Sequence, residues 1–247
     1  MNTEEYAIMY RVEDRHWWYR GLRELAGAFW EKHVVEERPR VLDAGCGTGG
    51  TLAWLEKRAR PFGIDFSPEA LGFCRQRGLG RLTAGSVTDL PFADSSFDVA
   101  FSFDVLYHKS VQDKETALRE TARVLRPGGL LFLNLPAYQW LRSSHDVAIH
   151  TDHRFTKPEV LELLRANSFQ PIEATYWNTL LFPPILLTRL WRKIAPPASS
   201  DLATGSGAVS QRIFGAILAA ERQLIRYTPL PFGLSIFVVA RRSEIKN

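Results

Sequence analysis

Cysteine is nearly absent from this chain, with two in 247 residues, Cys46 and Cys74. They stand in unrelated sequence contexts, so neither a disulfide framework nor a zinc spacing can be built from them. The expected setting is a reducing one, the cytoplasm. Long apolar runs are lacking too. The longest nearly apolar stretch, residues 180–187, is broken by Pro183 and Pro184 and is far shorter than the roughly 20 residues of a bilayer span. The opening MNTEEYAIMYRVEDRHWW is acidic early and has no apolar core of signal-peptide length. Strong charge of one sign is also missing: 31 Lys and Arg against 27 Asp and Glu leave a net +4. No stripe of Lys and Arg interleaved with aromatics runs along the chain, which argues against a nucleic-acid partner. The rest is ordinary globular composition, and a chain of this length buries a core without disulfides or metals.

Short apolar runs alternate with helical stretches, and this organises the chain. Residues 1–35 read as two helices around the cluster His16-Trp17-Trp18-Tyr19. Strands are expected at 40–44, 61–65, 82–84, 97–103, 130–135, 169–177 and 235–240. Helices are expected at 49–58, from Pro68 behind the N-cap Ser67, at 111–125, and from the capping box Thr156-Lys157-Pro158-Glu159 to about Asn167. Arg126-Pro127-Gly128-Gly129 reads as the turn that stops the third of these. The alternation predicts an α/β fold: a mostly parallel, seven-stranded Rossmann-like sheet with helices on both faces. Ligands of such sheets bind at the carboxyl ends of the strands. Asp43, Asp65, Ser86, Phe103 and Pro136 fall there. The whole chain reads as one domain, with a helical cap at 1–35 and a core at 36–177. A helical insertion follows at 178–231, then a last strand with a basic tail at 232–247. In the insertion Val209, Ile213, Ala216, Ile217, Ala220 and Leu224 keep helical spacing.

The loop in VLDAGCGTGG carries the cofactor signal. Gly45, Gly47 and Gly49 allow a tight turn and close backbone approach. Gly45, Gly47 and Gly50 also spell G-x-G-x-x-G, the dinucleotide fingerprint, and Asp65 ends the second strand where either cofactor's ribose would lie. Loop and Asp65 together therefore leave S-adenosylmethionine and a nicotinamide dinucleotide both open.

Three stretches in order decide further: Val41 to Gly49 (VLDAGCGTG), Leu90 to Val99 (LPFADSSFDV) and Arg123 to Gly129 (RVLRPGG). Through them the chain resembles the class I S-adenosylmethionine-dependent methyltransferases, in particular the large small-molecule group. The resemblance implies an enzyme that uses S-adenosylmethionine and releases S-adenosylhomocysteine. It implies that Asp43, Gly45, Cys46, Gly47 and Gly49 hold the methionine end. Asp65 would bind the ribose, with Phe66 beside the adenine. Ser86 and Val87 stand where the family often has an acidic residue for the adenine amine. The stretch Phe103-Asp104-Val105-Leu106-Tyr107-His108 would line the sulfonium side. The stretch His16 to Arg23 is similar to a cap that closes over the cofactor, with Trp18 and a fork from Arg20 or Arg23 to the methionine carboxylate.

Methyl transfer is an in-line displacement, and a base is needed only where the nucleophile must lose a proton. The candidates are His108 and the crowded His145, His150 and His153 in SSHDVAIHTDHR. Hydrogen bonding that shapes the loop is the alternative. A metal site is not expected, because the spacing of these ligand types matches no standard one. The partner is a small-molecule acceptor. The resemblance of residues 136–146 and the tail to bacterial methyltransferases points to a natural product, a saccharide or a lipid-linked compound. Residues 180–193, Leu-rich and ending in Trp191, Arg192 and Lys193, suit contact with a membrane surface, a substrate lid, a homodimer face or burial on the chain's own core.

Overall fold

The structure is a computed structural model and describes residues 3–143, 146, 150–186 and 207–243. Two helices come first, α1 (Thr3–Val12) and α2 (Trp17–His33). The chain then runs β1 (Arg40–Ala44), α3 (Gly50–Leu55), β2 (Arg60–Asp65), α4 (Pro68–Gln76), β3 (Leu82–Ala84) and β4 (Phe97–Phe103). After these come α5 (Lys114–Val124), β5 (Leu125–Pro136), α6 (Lys157–Ala166), β6 (Phe169–Trp177), α7 (Ala208–Ile225) and β7 (Ser235–Arg242). The seven strands form one sheet in the order β3-β2-β1-β4-β5-β7-β6. Strands β1 to β5 pair in parallel, and β7 runs antiparallel between β5 and β6. The expected Rossmann-like architecture is the one observed, with the helical cap in front and the helix before the last strand.

Alternation along the strands builds two cores. On β1, Leu42 joins one layer with Ile64, Ala100, Leu131, Leu133 and the α6 residues Val160 and Leu164. Its neighbour Val41 joins the other layer with Phe101, Phe132, Phe237 and the α2 residues Leu25, Phe29 and Trp30. In that second layer Phe101 and Phe132 stack at 4.8 Å and Phe29 and Phe237 at 5.5 Å. Strand order reverses between β1 and β4, which opens a crevice at their carboxyl ends.

Three elements differ from the sequence reading. Helix α5 begins at Lys114, because Asp113 accepts a bond from Thr116 N at 2.8 Å and caps it there. The Arg126–Gly129 turn does not precede β5 but is absorbed into it as a bulge. Phe97 pairs with Leu125 and Val99 with Leu130, and Gly128 at φ 76° makes the detour. Helix α7 exposes Val209, Ile213 and Leu224 and instead buries Leu218, Glu221 and Ile225. Two causes fix this roll. Leu218 fills a slot on α2 that a Cβ at Gly21 would close, lying 2.4 Å from Cδ1. Glu221 turns inward to accept the backbone N–H groups of Asn178 at 2.5 Å and Leu180 at 2.9 Å.

Candidate functional site

The loop after β1 sits at the switch point. Gly45 has φ 90° and Gly47 φ 51°, where side chains are strained. A Cβ on Gly45 would lie 2.3 Å from Val105, and one on Gly47 would lie 2.8 Å from Met9. The loop is therefore clamped between the segment after β4 and helix α1. Asp65, at the end of β2, is tied to it: Gly47 N donates to Oδ2 and Ser67 N to Oδ1, both at 2.9 Å.

Acid accumulates around this loop. Asp43 is 2% exposed, and its Oδ2 has no hydrogen-bond partner. Burial first, then the fields of Asp65 and Glu13, push its carboxyl up to about 8. Burial also raises Asp65 against the N–H groups that bond it. Glu13, at the end of the cap's first helix, accepts the Thr48 hydroxyl and the Arg77 guanidinium, the latter at 2.7 Å. Burial raises its pKa as well. An orphaned carboxyl oxygen beside two further acids asks for a cation. S-adenosylmethionine brings two, the sulfonium and the α-ammonium, so these residues fit it. A dinucleotide would bring its anionic pyrophosphate to the same loop, against the three carboxyls.

Within the cap, Arg23 is buried and its Nη2 donates at 2.8 Å to the backbone oxygen of Glu13. Arg20 reaches Glu24 at 3.8 Å on the surface. Trp18 packs against Tyr19 and Trp177. The cysteines meet in one small core cluster: Cys46 and Cys74 are buried and unbridged, and Cys74 donates to Gly47 O at 3.2 Å. Phe66 is 55% exposed, with its ring 6.3 Å from that of His108. Ser86 bonds Thr88 at the surface, Val87 is buried, and Phe103 packs half-buried on Phe101 and Phe237.

The histidines separate. His108 accepts Ser110 N on Nδ1 at 3.1 Å, and burial lowers its pKa to about 4. His150, at φ 56°, sets its ring 5.8 Å from that of His108. His153 bonds Glu159 at 2.7 Å, on the side of Lys114 and Asp152. His145 lies outside the described residues. Among the described residues no group of three or more His, Cys, Asp or Glu could hold a metal ion.

Asp104 belongs to the stretch read as lining the sulfonium side, and a second feature, beyond β5, was not singled out in the sequence. Asp104, straight after β4, has φ 58°. Both its oxygens lie 3.1 Å from Asn134 Nδ2, and Asn134 Oδ1 in turn accepts Trp177 Nε1 at 2.8 Å. The visible signal was an acid directly behind an apolar strand at the switch point. Beyond β5, Tyr138 stacks on Trp140 and Tyr176, and Phe182 meets Tyr138, Trp140 and Phe232 edge to face. Tyr138 and Trp140 follow β5, Tyr176 belongs to β6, Phe182 follows β6 and Phe232 precedes β7, a juxtaposition no local pattern reveals.

Fold and loop define a doubly wound, cofactor-binding domain with its site at the switch point. Residues 42–133 match the family model of a methyltransferase domain, whose cofactor is S-adenosylmethionine. It is similar to a fatty-acid O-methyltransferase of Mycolicibacterium smegmatis, 35% identical over 127 residues, which are 46% of this chain and 44% of that one. The chain spans less than half the length of the first curated relatives it matches. Its fold is that of a methyltransferase from Haloferax volcanii solved with the activator Trm112, at TM-score 0.64 and 24% identity over 99% of this chain and 96% of that one. It is also that of a Burkholderia thailandensis 1,6-didemethyltoxoflavin N1-methyltransferase with bound S-adenosylhomocysteine, at TM-score 0.55 and 22% identity over 91% and 79% of the two chains.

Proposed function

We propose that this chain transfers the methyl group of S-adenosylmethionine to an O, N or C nucleophile of a small-molecule acceptor. The observation that carries this is the acid-lined glycine loop with its orphaned Asp43 oxygen. Asp43 and Gly45, Cys46, Gly47 and Gly49 receive the methionine end, and Asp65 receives the ribose hydroxyls. Phe66, Ser86 and Val87 flank the adenine, while Phe103 and His108 flank the sulfonium. Trp18 and Arg23 belong to the cap over it, Arg23 by fixing Glu13 rather than by gripping the ligand.

The acceptor enters along the carboxyl edge past β5, where Tyr138, Trp140, Phe182 and Phe232 offer aromatic faces. These favour an acceptor with an apolar or planar body, as a natural product or a lipid-linked compound has, and a saccharide ring can lie on them too. If the nucleophile must lose a proton to a histidine, His145, His150 and His153 stand as candidates beside His108, whose depressed pKa makes it a weak base. The lack of a basic stripe supports excluding nucleic acid. No helix among the described residues is long and apolar enough to cross a membrane. The exposed Leu180, Val209 and Ile213 support a homodimer face or contact with a membrane surface through 180–193, whose residues 187–193 lie outside the described ones.

Calorimetric titration with S-adenosylmethionine, S-adenosylhomocysteine and NADH tests the reading. Micromolar binding of the first two without NADH is expected. Binding of NADH alone would overturn it.

A further inference from the structure

Asp104 is placed as a reacting group rather than as a structural one. It ends the strand next to β1 at the switch point, and its neighbour Val105 closes on Gly45 of the cofactor loop. Its left-handed backbone is held by the bond from its own N–H to Asn134 O at 3.0 Å. Its carboxylate is held by Asn134 Nδ2, and Asn134 by Trp177. Residues of three strands, β4, β5 and β6, thus fix one half-buried carboxylate beside the loop. A strained conformation that the surroundings over-determine is a recurrent mark of function. The groups around it are few. Arg154, from the segment ahead of α6, is already paired with Asp146 at 2.7 Å. Tyr19 of α2 and Tyr107 of its own loop are hydroxyls that burial keeps protonated. Among the described residues Asp104 forms no ion pair, and burial, against the Asn134 bond and the field of Arg154, pushes its carboxyl up to about 7, near the operating range of a general base.

We propose that the Asp104 carboxylate faces the point of methyl transfer and takes the proton that an O–H or N–H acceptor gives up there. The inference rests on the methyltransferase reading above. The acceptor's lone pair forms the new bond to the methyl carbon, the S–C bond breaks with its electron pair on sulfur, and the proton passes to Asp104 Oδ. The products are a methylated acceptor, a neutral thioether and a protonated Asp104. The same carboxylate attracts the sulfonium before transfer.

The test needs no acceptor. Wild type and Asp104→Asn are titrated with S-adenosylhomocysteine and with sinefungin, which carries an ammonium where the transferable methyl stands. The ratio of the two affinities reads the charge at that point. Asp43 drops out of it, because both ligands share the α-ammonium. Asp104→Asn is expected to lower the preference for sinefungin about 10- to 100-fold, the span of one charged hydrogen bond, with S-adenosylhomocysteine affinity nearly unchanged. In wild type the preference should grow as pH rises through about 7, as the carboxylate forms. A preference that the variant keeps overturns the proposal. If the variant does not fold, the wild-type series decides, and a preference flat with pH overturns it. Absence of S-adenosylhomocysteine binding to wild type overturns the methyltransferase reading itself, so the two failures are distinct.

Discussion

In the middle of the sheet, Phe101, Phe132 and Phe237 sit ring to ring with Phe29, all of them buried and apolar. Towards the carboxyl ends of β1, β2 and β4 stand Asp43, Asp65 and Asp104, with pKa values raised by burial. The middle satisfies itself, whereas the edge holds like charges close together with an oxygen left unmatched. Folding free energy comes from the first region. The second is stable only because the first holds it, which is how a binding site is kept ready for a ligand that completes it.

Three substitutions sharpen this contrast, from the largest effect to the smallest. Phe132→Ala removes a ring stacked within the second core and should cost about 3–5 kcal/mol in a denaturant titration. A loss below about 1 kcal/mol would mean that the aromatic layer is not where stability resides. Asp65→Ala orphans the Gly47 and Ser67 N–H groups, so it should lower the melting temperature modestly, and in the folded variant it should weaken S-adenosylmethionine by about 1–3 kcal/mol, the scale of a lost charged hydrogen bond. Equal affinity would remove Asp65 from the ribose role. Asp43→Asn reads the edge in the absence of ligand. A carboxyl raised in the fold contributes stability at low pH and loses it as pH climbs through the folded value, here about 8. Wild type should therefore lose about 1 kcal/mol between about pH 7 and 9 that Asp43→Asn does not lose, read from melting curves. Parallel curves would show that Asp43 is ionised all along.

Periodicity carries a fold well where one residue decides one face. Val41 and Leu42 point to opposite layers as their alternation dictates, and the capping box at Thr156 opens α6 as read. The loop, Asp43 and Asp65 were legible because their chemistry lies within a short stretch. Long-range geometry was not. The roll of α7 depends on a slot at Gly21, almost two hundred positions away in the chain, and on Glu221 capping Asn178. Arg23, read as a ligand fork, has its Nη2 on Glu13 O, since a guanidinium so buried must find a partner within the fold. The meeting of Cys46 with Cys74 likewise depends on α4 folding back over the loop.

Helix α1 lies across the cofactor loop, with Met9 against Gly47 and the Glu13 carboxylate seated on Thr48 and Arg77. It has ten residues, fewer than the roughly 12–15 an isolated helix needs to persist in water. What keeps it helical is the domain beneath it: Tyr6 is buried and Tyr10 stacks on Phe73 of α4 at 4.8 Å, so a peptide of these ten residues cut from the chain should be a coil.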